Sequence, residues 1–462
     1  MSDLSPPPVA RRVAVVGAGP AGLYAAEELI RQGRHDVRVD VLDRLPAPYG
    51  LVRYGVAPDH PRIKSITGSL RKVLDDPRVA FHGGVELGTD VTRSELLDHY
   101  DAVVYAAGAA GDRRLGIPGE DLAGSCSARA FVSWYSGHPD APAPLPLDME
   151  RLAVVGAGNV ALDVARVLAR PVADLERTDM PEPVLAALRA SAVREIVVLA
   201  RRGPQHARFT PKELRELGGL DGVDVIVDPR QLVLPEGAEP DRSTKANLRA
   251  LAELAAAPLR GAPRRIELRF HARPRRVLGE HRVAGLMTER THDGPDGASV
   301  GTGELDTLRV GAVLRAVGYR GLPLDTVPFD ETRGVVPNDR GRVLDAKGAL
   351  CPGEYVTGWL KRGPSGVIGT NKLDSAETVA LLVDDLDRLP DRRLLDLEAM
   401  LIRRGVRPVG LSGWARIDSA ERELGASRGR DRTKIADWPT LTRIGRSPHL
   451  VPAEPEELPW PS

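Results

Sequence analysis

Arg12-Val13-Ala14-Val15-Val16-Gly17-Ala18-Gly19-Pro20-Ala21-Gly22-Leu23 is the stretch on which the fold turns. Arg12 to Val16 is a short β-branched run, and a helical pattern follows from Leu23 to about Gln32. Between them lies a G-x-G-x-x-G turn. In such a turn the first glycine makes the bend, the second lets backbone approach a pyrophosphate, and the third lets helix and strand pack closely. The helix start then offers free N–H groups and a partial positive charge to an anion. A second strand, Val37 to Leu42, ends on Asp43, about 20 residues past Gly22, the spacing of a carboxylate that accepts from a ribose. Alone, a glycine turn in a chain with 47 Gly is only a turn, and a lone Asp is usually solvated. Strand, turn, helix, strand and acid in register mark Gly17, Gly19, Ala21, Gly22 and Asp43 as a dinucleotide site.

The pattern returns. Leu152 to Val155 reads as a strand, Gly156-Ala157-Gly158-Asn159-Val160-Ala161 as the turn, and Leu162 to Leu168 as the start of a helix. Glu195 to Ala200 is the next strand, and it ends on Arg201-Arg202 instead of an acid. A basic pair there suits the 2′-phosphate of NADP, which a carboxylate would repel. The spacing from Ala161 is long, and an insert from about Arg170 to Arg194 accounts for it. Eight of the 64 basic residues are Lys, so a single Arg means little here; the placed pair means more. Two turns suggest two dinucleotides: FAD, retained, at the first, and NADPH, exchanging, at the second. Hydride transfer then requires nicotinamide and isoalloxazine to meet between the two folds.

Composition bounds the rest. A chain of 462 residues exceeds one ordinary core, and 42% hydrophobic residues suffice for packed domains. Acids and bases balance at 64 each, which gives no support to a nucleic-acid or membrane-surface role. Cys126 and Cys351 form no C-x-x-C and cannot ligate an iron–sulfur cluster, so neither a redox disulfide nor a metal centre is expected, and the cytoplasm is the expected setting. The N-terminus lacks the apolar core of a signal peptide, and no run is long enough to span a membrane.

Longer motifs add a resemblance. Leu51-Val-Arg-Tyr-Gly-Val-Ala-Pro-Asp-His-Pro61, Gly156 to Arg166, Arg201 to Pro204 with Phe209 to Leu217, and Gly358 to Asn371 together resemble the adrenodoxin-reductase-like NADPH–ferredoxin reductases, the actinobacterial members above all. The match runs in order from about residue 10 to 385. The resemblance implies hydride transfer from NADPH to FAD, then single electrons to a ferredoxin. It also implies FAD contacts at Gly19, Asp43, Leu51, Val85, Trp359, Gly366, Val367 and Ile368. NADP contacts are implied at Arg113, Ala157, Gly158, Asn159, Val160, Arg201, Arg202, Glu213 and Gly366. The family usually has Glu where Asp43 stands. It places His60 and Glu216 near the reacting rings, in a modulating role; read without it, each is as readily a structural histidine and a solvated helix acid.

The expected fold is α/β, with two doubly wound, glutathione-reductase-like dinucleotide-binding domains. The FAD domain runs over residues 1–108 and again over 325–462 with a helical C-terminal region, and the NADPH domain fills 109–324. Pro46 to Pro61 reads as an ordered loop, Ile63 to Leu74 as a helix, and Asp374 to Leu386 as another. Lys361 and Arg362 are candidate attractors of an acidic ferredoxin. A monomer is expected. The alternatives are an NADPH-dependent flavin monooxygenase and an electron-feeding subunit of the glutamate synthase small-chain type. The first would need an added fingerprint between the turns, and the second N-terminal cysteine clusters; neither is visible.

Overall fold

The computed structural model describes residues 10–234, 239–294, 297–389 and 396–447. Arg11–Val16 is the strand expected, and its side chains alternate between two cores. Val13 and Val15 face one apolar cluster, Ala14 and Val16 another. A strand buried on both sides reads as a continuous apolar run, which is why the sequence signal is strong here.

Around it forms a seven-stranded sheet. Its order is Asn338–Asp339, Arg342–Leu344, Leu350–Val356, Ala102–Tyr105, Arg11–Val16, Val37–Asp43, Val79–Gly83. Arg11–Val16 pairs in parallel with both Val37–Asp43 and Ala102–Tyr105, so the crossover helix Pro20–Arg31 lies on one face. That helix packs beside the 17-residue helix Thr370–Leu386, which begins four residues before the expected Asp374.

A second sheet has the order Ser125–Ser127, Ala312–Arg315, Arg151–Val155, Glu195–Leu199, Arg264–Arg269, Val223–Val227, all parallel. Leu152 and Val154 face a helical layer, while Ala153 and Val155 face an antiparallel meander of Ala272–Leu278, Gly285–Asp293 and Ser299–Leu308. Gly111–Asp112 and Tyr319–Arg320 pair antiparallel where the chain passes between the two sheets. The insert that lengthens the second unit folds as Val172–Leu175 and Glu182–Arg189.

Two local readings are corrected. The Pro- and Gly-rich stretch from Pro46 contains a helix, Gly50–Tyr54. Ile63 to Leu74 is two helices, Pro61–Lys64 and Thr67–Leu74. The C-terminal part forms Leu397–Arg403, Leu411–Ala426 and Trp438–Arg446. Trp414, Ile417 and Leu441 complete the core of the first sheet. Among the described residues, no helix is long and apolar enough to cross a membrane.

Candidate active site at two glycine turns

Both glycine turns have the geometry their sequence calls for. A Cβ on Gly22 would overlap the carbonyl oxygen of Gly17, so only glycine lets the helix approach the strand. Gly156 has φ 149, and a Cβ there would overlap the Ala316 carbonyl oxygen. Beyond the second glycines there is room. Gly19 meets nothing nearer than the Gly50 Cα at 4.0 Å, and Gly158 meets nothing within 4 Å. Gly19 and Gly158 are also the N-caps of the helices Pro20–Arg31 and Asn159–Ala169, and neither receives a side-chain cap. Thr92, Ser127, Thr210, Asp241 and Asp437 cap their helices with side chains. The two turns therefore present free N–H donors and open space, a cradle that fits a pyrophosphate.

Asp43 stands at the end of its strand as expected, with its carboxylate on the turn itself. Oδ2 accepts from the Ala18 N–H at 2.8 Å and Oδ1 from the Leu45 N–H at 2.9 Å. Burial raises its pKa, against the pull of those two amides. Val85 is buried next to it, its N–H donating to the Asp43 carbonyl at 3.0 Å. Leu51 lies in the helix Gly50–Tyr54, whose N-cap Tyr49 is left-handed at φ 82. Such a conformation costs a non-glycine residue on the order of 1–3 kcal/mol. The Tyr49 N–H donates to the Ala18 carbonyl at 2.8 Å, and its ring meets Trp414 edge-on at 5.9 Å, which holds the turn in place.

Trp359 follows Gly358 at the end of the strand Leu350–Val356. Its ring lies 5.3 Å from that of Tyr319, and its Nε1 donates to the Ser365 carbonyl at 3.2 Å. Gly366 and Val367 are exposed beyond it, while Ile368 packs against the first core. Lys361 and Arg362 are not free surface charges. Lys361 is buried and pairs with Asp374 and Glu377, and Arg362 also pairs with Asp374. They clamp the Gly-rich run to the helix behind it, which removes them as attractors for a partner.

At the second turn, Asn159 Oδ1 accepts from the Thr210 N–H at 2.9 Å, and the Ala157 carbonyl accepts from the Arg208 N–H at 2.7 Å. Val160 is half-buried beside them. Arg201 is exposed, and no carboxylate pairs with its guanidinium among the described residues. Among the described residues, Arg202 donates only a long bond, 3.4 Å, to the Gly297 carbonyl. Arg113 lies against Gly318, its Cδ 3.7 Å from where a Cβ would stand.

His60, Glu213 and Glu216 come together, with three residues that the sequence reading left unassigned. Arg166 is fully buried. Its Nε donates to Asp59 Oδ2 at 2.7 Å, and its Nη2 reaches Asp59 Oδ1 at 3.0 Å and Asp163 Oδ1 at 2.7 Å. Its Nη1 reaches Glu213 Oε2 at 3.2 Å. His60 Nε2 lies 3.2 Å from Glu213 Oε2 and 3.3 Å from Asp163 Oδ1, and Nδ1 lies 3.8 Å from Glu216 Oε2. Asp163 and Arg166, like Glu213 and Glu216, are three apart on one helix, a spacing that places each pair on a common face.

The protonation of His60 follows from charge. Arg166 Nη2 is 2.5 Å from Nε2, which by itself asks that nitrogen to accept. Against this stand Asp59, Asp163, Glu213 and Glu216, with Arg166 and the more distant Arg170 as the only guanidinium partners among the described residues. Lys212 pairs with Glu216 at 3.6 Å, so a protonated His60 is the fourth cation among four carboxylates. Burial lowers its pKa, but Asp163 and Glu213 outweigh that and raise it to about 9. His60, Glu213 and Glu216 also have the spacing of metal ligands, their atoms within 4.8 Å of one another, but the guanidinium already supplies the cation among these oxygens.

Two glycine-turn folds, one ending in an acid and one in two arginines with no carboxylate partner among the described residues, joined by a buried ionic cluster, define a two-dinucleotide oxidoreductase. The comparisons narrow this. The family described as pyridine nucleotide-disulphide oxidoreductase matches residues 11–217. The chain is 45% identical to a probable ferredoxin/ferredoxin--NADP reductase of Mycobacterium tuberculosis, over 96% of this chain and 76% of that protein. It is 42% identical to the NADPH-ferredoxin reductase FprA of the same organism, over 94% of this chain and 98% of that one. It is 40% identical to the mitochondrial NADPH:adrenodoxin oxidoreductase of Arabidopsis thaliana, over 93% and 94%. A structure of the M. tuberculosis FprA in complex with NADPH superposes with a TM-score of 0.89 at 41% identity, over 94% of this chain and 99% of that one. The chain belongs to the family of NADPH–ferredoxin and NADPH–adrenodoxin reductases.

Proposed function

We propose that this chain is an NADPH–ferredoxin oxidoreductase: it moves hydride from NADPH to FAD and delivers electrons singly to a ferredoxin-type iron–sulfur protein. The observation that carries the assignment of the two sites is their opposite endings. Asp43 closes the first turn with a carboxylate bound to backbone amides, while Arg201 at the second is exposed without a carboxylate partner among the described residues. FAD, when bound, supplies acceptance of a hydride and release of single electrons.

The chain's own residues bind and orient. Gly17, Gly19, Ala21 and Gly22 cradle the FAD pyrophosphate. Asp43, already tied to the turn, keeps lone pairs for ribose hydroxyls. Leu51, Val85, Trp359, Gly366, Val367 and Ile368 line the remainder of that site. Ala157, Gly158, Asn159 and Val160 take the NADPH pyrophosphate, Arg201 and Arg202 its 2′-phosphate, and Arg113 lies beside them. Glu213 positions His60 through the Arg166 cluster. A positive His60, with Glu216, adjusts the electrostatics around the reacting rings, an effect of about tenfold, near 1.4 kcal/mol.

The domain division that fits this reading is 1–108 with 325–462 for FAD, and 109–324 for NADPH. Both turns lie in one chain, so a monomer suffices. Two isolated free cysteines support a cytoplasmic setting. The test is reduction of the host's own ferredoxins, one by one, with NADPH as donor. At least one should be reduced at many turnovers per enzyme. Oxygenation of an organic substrate with no ferredoxin reduced would favour the monooxygenase reading.

A further inference from the structure

A cavity of about 230 Å³ lies between the helices Gly50–Tyr54, Thr67–Leu74 and Leu411–Ala426. It shares none of the residues assigned above to either dinucleotide. That volume exceeds what one water needs by roughly fifteen- to twentyfold. Six cations line it: Arg53, Lys64, Arg71, Arg422, Arg432 and Lys434. Two of them are nearly out of water, Arg53 at 6% exposure and Lys434 at 3%.

Their partners are fewer. Asp179 is shared by Lys64 and Lys434. Glu421 is shared by Arg53 and Arg432, and Asp418 by Arg422 and Arg432. Arg71 has Asp75. Six basic side chains thus meet four carboxylates among the described residues, and although burial lowers the pKa of Lys434 to about 7, the other five still outnumber them. Uncompensated charge in a partly buried site is unfavourable unless an anion supplies the balance. Arg53 Nε is also buried with no hydrogen-bond partner, as is the hydroxyl of Thr433 beside Lys434. One wall is aromatic, Trp414 with the edge of Tyr49, and the Arg53 guanidinium stacks 5.1 Å from the Trp414 ring. Glu421 and Asp418 occupy the forks of Arg53 and Arg432, while among the described residues Arg71 and Arg422 give only Nε to a carboxylate, so their terminal nitrogens are the donors suited to the tetrahedral oxygens of a phosphate.

We propose that this cavity binds a phosphate dianion, either inorganic phosphate or the phosphate group of a small metabolite. Its occupant bears on the whole molecule through Lys434. That ammonium donates to the Arg53 carbonyl and the Ser136 carbonyl, each at 2.9 Å, and pairs with Asp179. It ties the C-terminal segment to the helix after the first turn and to two segments of the second unit.

The test uses the full-length, FAD-loaded protein. Calorimetry and thermal melting are run with inorganic phosphate and with glucose 6-phosphate, against potassium chloride at matched ionic strength. Saturable binding is expected, with a raised Tm; the ligand that binds more tightly identifies the source. Arg71→Gln with Arg422→Gln, both at the rim, should weaken binding at least tenfold while flavin content and NADPH turnover stay unchanged. Arg201→Ala with Arg202→Ala should leave the phosphate isotherm in place, which separates this site from the one proposed for the 2′-phosphate. Absence of saturable binding, binding indifferent to the Arg71 and Arg422 changes, or binding lost with Arg201 and Arg202 would each overturn the proposal.

Discussion

Arg166 and Asp59, more than 100 residues apart in the chain, form a two-pronged ion pair, Nε to Oδ2 at 2.7 Å and Nη2 to Oδ1 at 3.0 Å. Asp59 belongs to the motif that follows the first glycine turn, and Arg166 to the helix that begins at the second. The fork–fork geometry fixes orientation as well as distance. It sets the surface on which His60 and Glu216 stand.

Removing Arg166 should be severe. Arg166→Met would leave Asp59, Asp163 and Glu213 without their buried partner, at a cost of about 3–5 kcal/mol. Arg166→Lys, which keeps the charge and loses the fork, should recover part of this. Urea or thermal unfolding of the FAD-loaded protein measures both. Two variants that unfold like the parent would show that the cluster contributes nothing to the junction.

The two turns should answer differently to a single methyl. Gly22→Ala forces a clash with the Gly17 carbonyl, so the purified protein is expected to lose FAD, read from flavin absorbance per chain. Gly158→Ala meets nothing within 4 Å, so it should fold and hold FAD. Its methyl would occupy the space proposed for the NADPH pyrophosphate, and KM for NADPH should rise at least tenfold. Full flavin content in the first, or an unchanged KM in the second, would contradict this placement.

Arg201→Ala with Arg202→Ala should raise KM for NADPH far more than KM for NADH. Charge-assisted bonds to a phosphate are worth about 1.5–3 kcal/mol, which is roughly ten- to a hundredfold. Steady-state kinetics with both donors decides it. Unchanged discrimination would remove the 2′-phosphate assignment.

His60 should leave a mark on the pH dependence of stability. Burial works against its charge, but Asp163 and Glu213 raise its pKa to about 9 in the folded chain, above the ordinary 6.5. A folded pKa raised in this way stabilises fully below pH 6.5 and is lost as pH rises through 9. Unfolding measured between pH 6 and 10 should therefore fall more steeply for the parent than for His60→Gln. Parallel curves would mean that the imidazole is neutral throughout.

What the sequence disclosed, and what it hid, follows from range. The strand–turn–helix units are local, Asp43 stands at the usual offset from the first, and Arg201 ends the strand after the second beyond a recognisable insert, so both were readable. The helix Gly50–Tyr54 was missed because five residues are too few to show a period, and the Pro and Gly around it speak for a loop. Thr67–Leu74 was fused with Pro61–Lys64 because the apolar spacing runs on through the break between them. Lys361 and Arg362 looked like surface charge because nothing nearby in sequence announces Asp374 as their partner. Asp59 and Arg166 meet only through the tertiary fold, and no spacing rule reaches that far. The C-terminal helices were legible as helices, but that Trp414 closes the first core and Lys434 joins three segments is not written in their periodicity.

Anaerobic rapid mixing of the FAD-loaded protein with NADPH, followed by addition of a host ferredoxin, tests the central claim most directly. The flavin absorbance should bleach with NADPH far faster than with NADH, and then recover as two ferredoxins are reduced per NADPH consumed. A flavin that stays oxidised with NADPH, or one that bleaches and passes nothing to any ferredoxin, would contradict it.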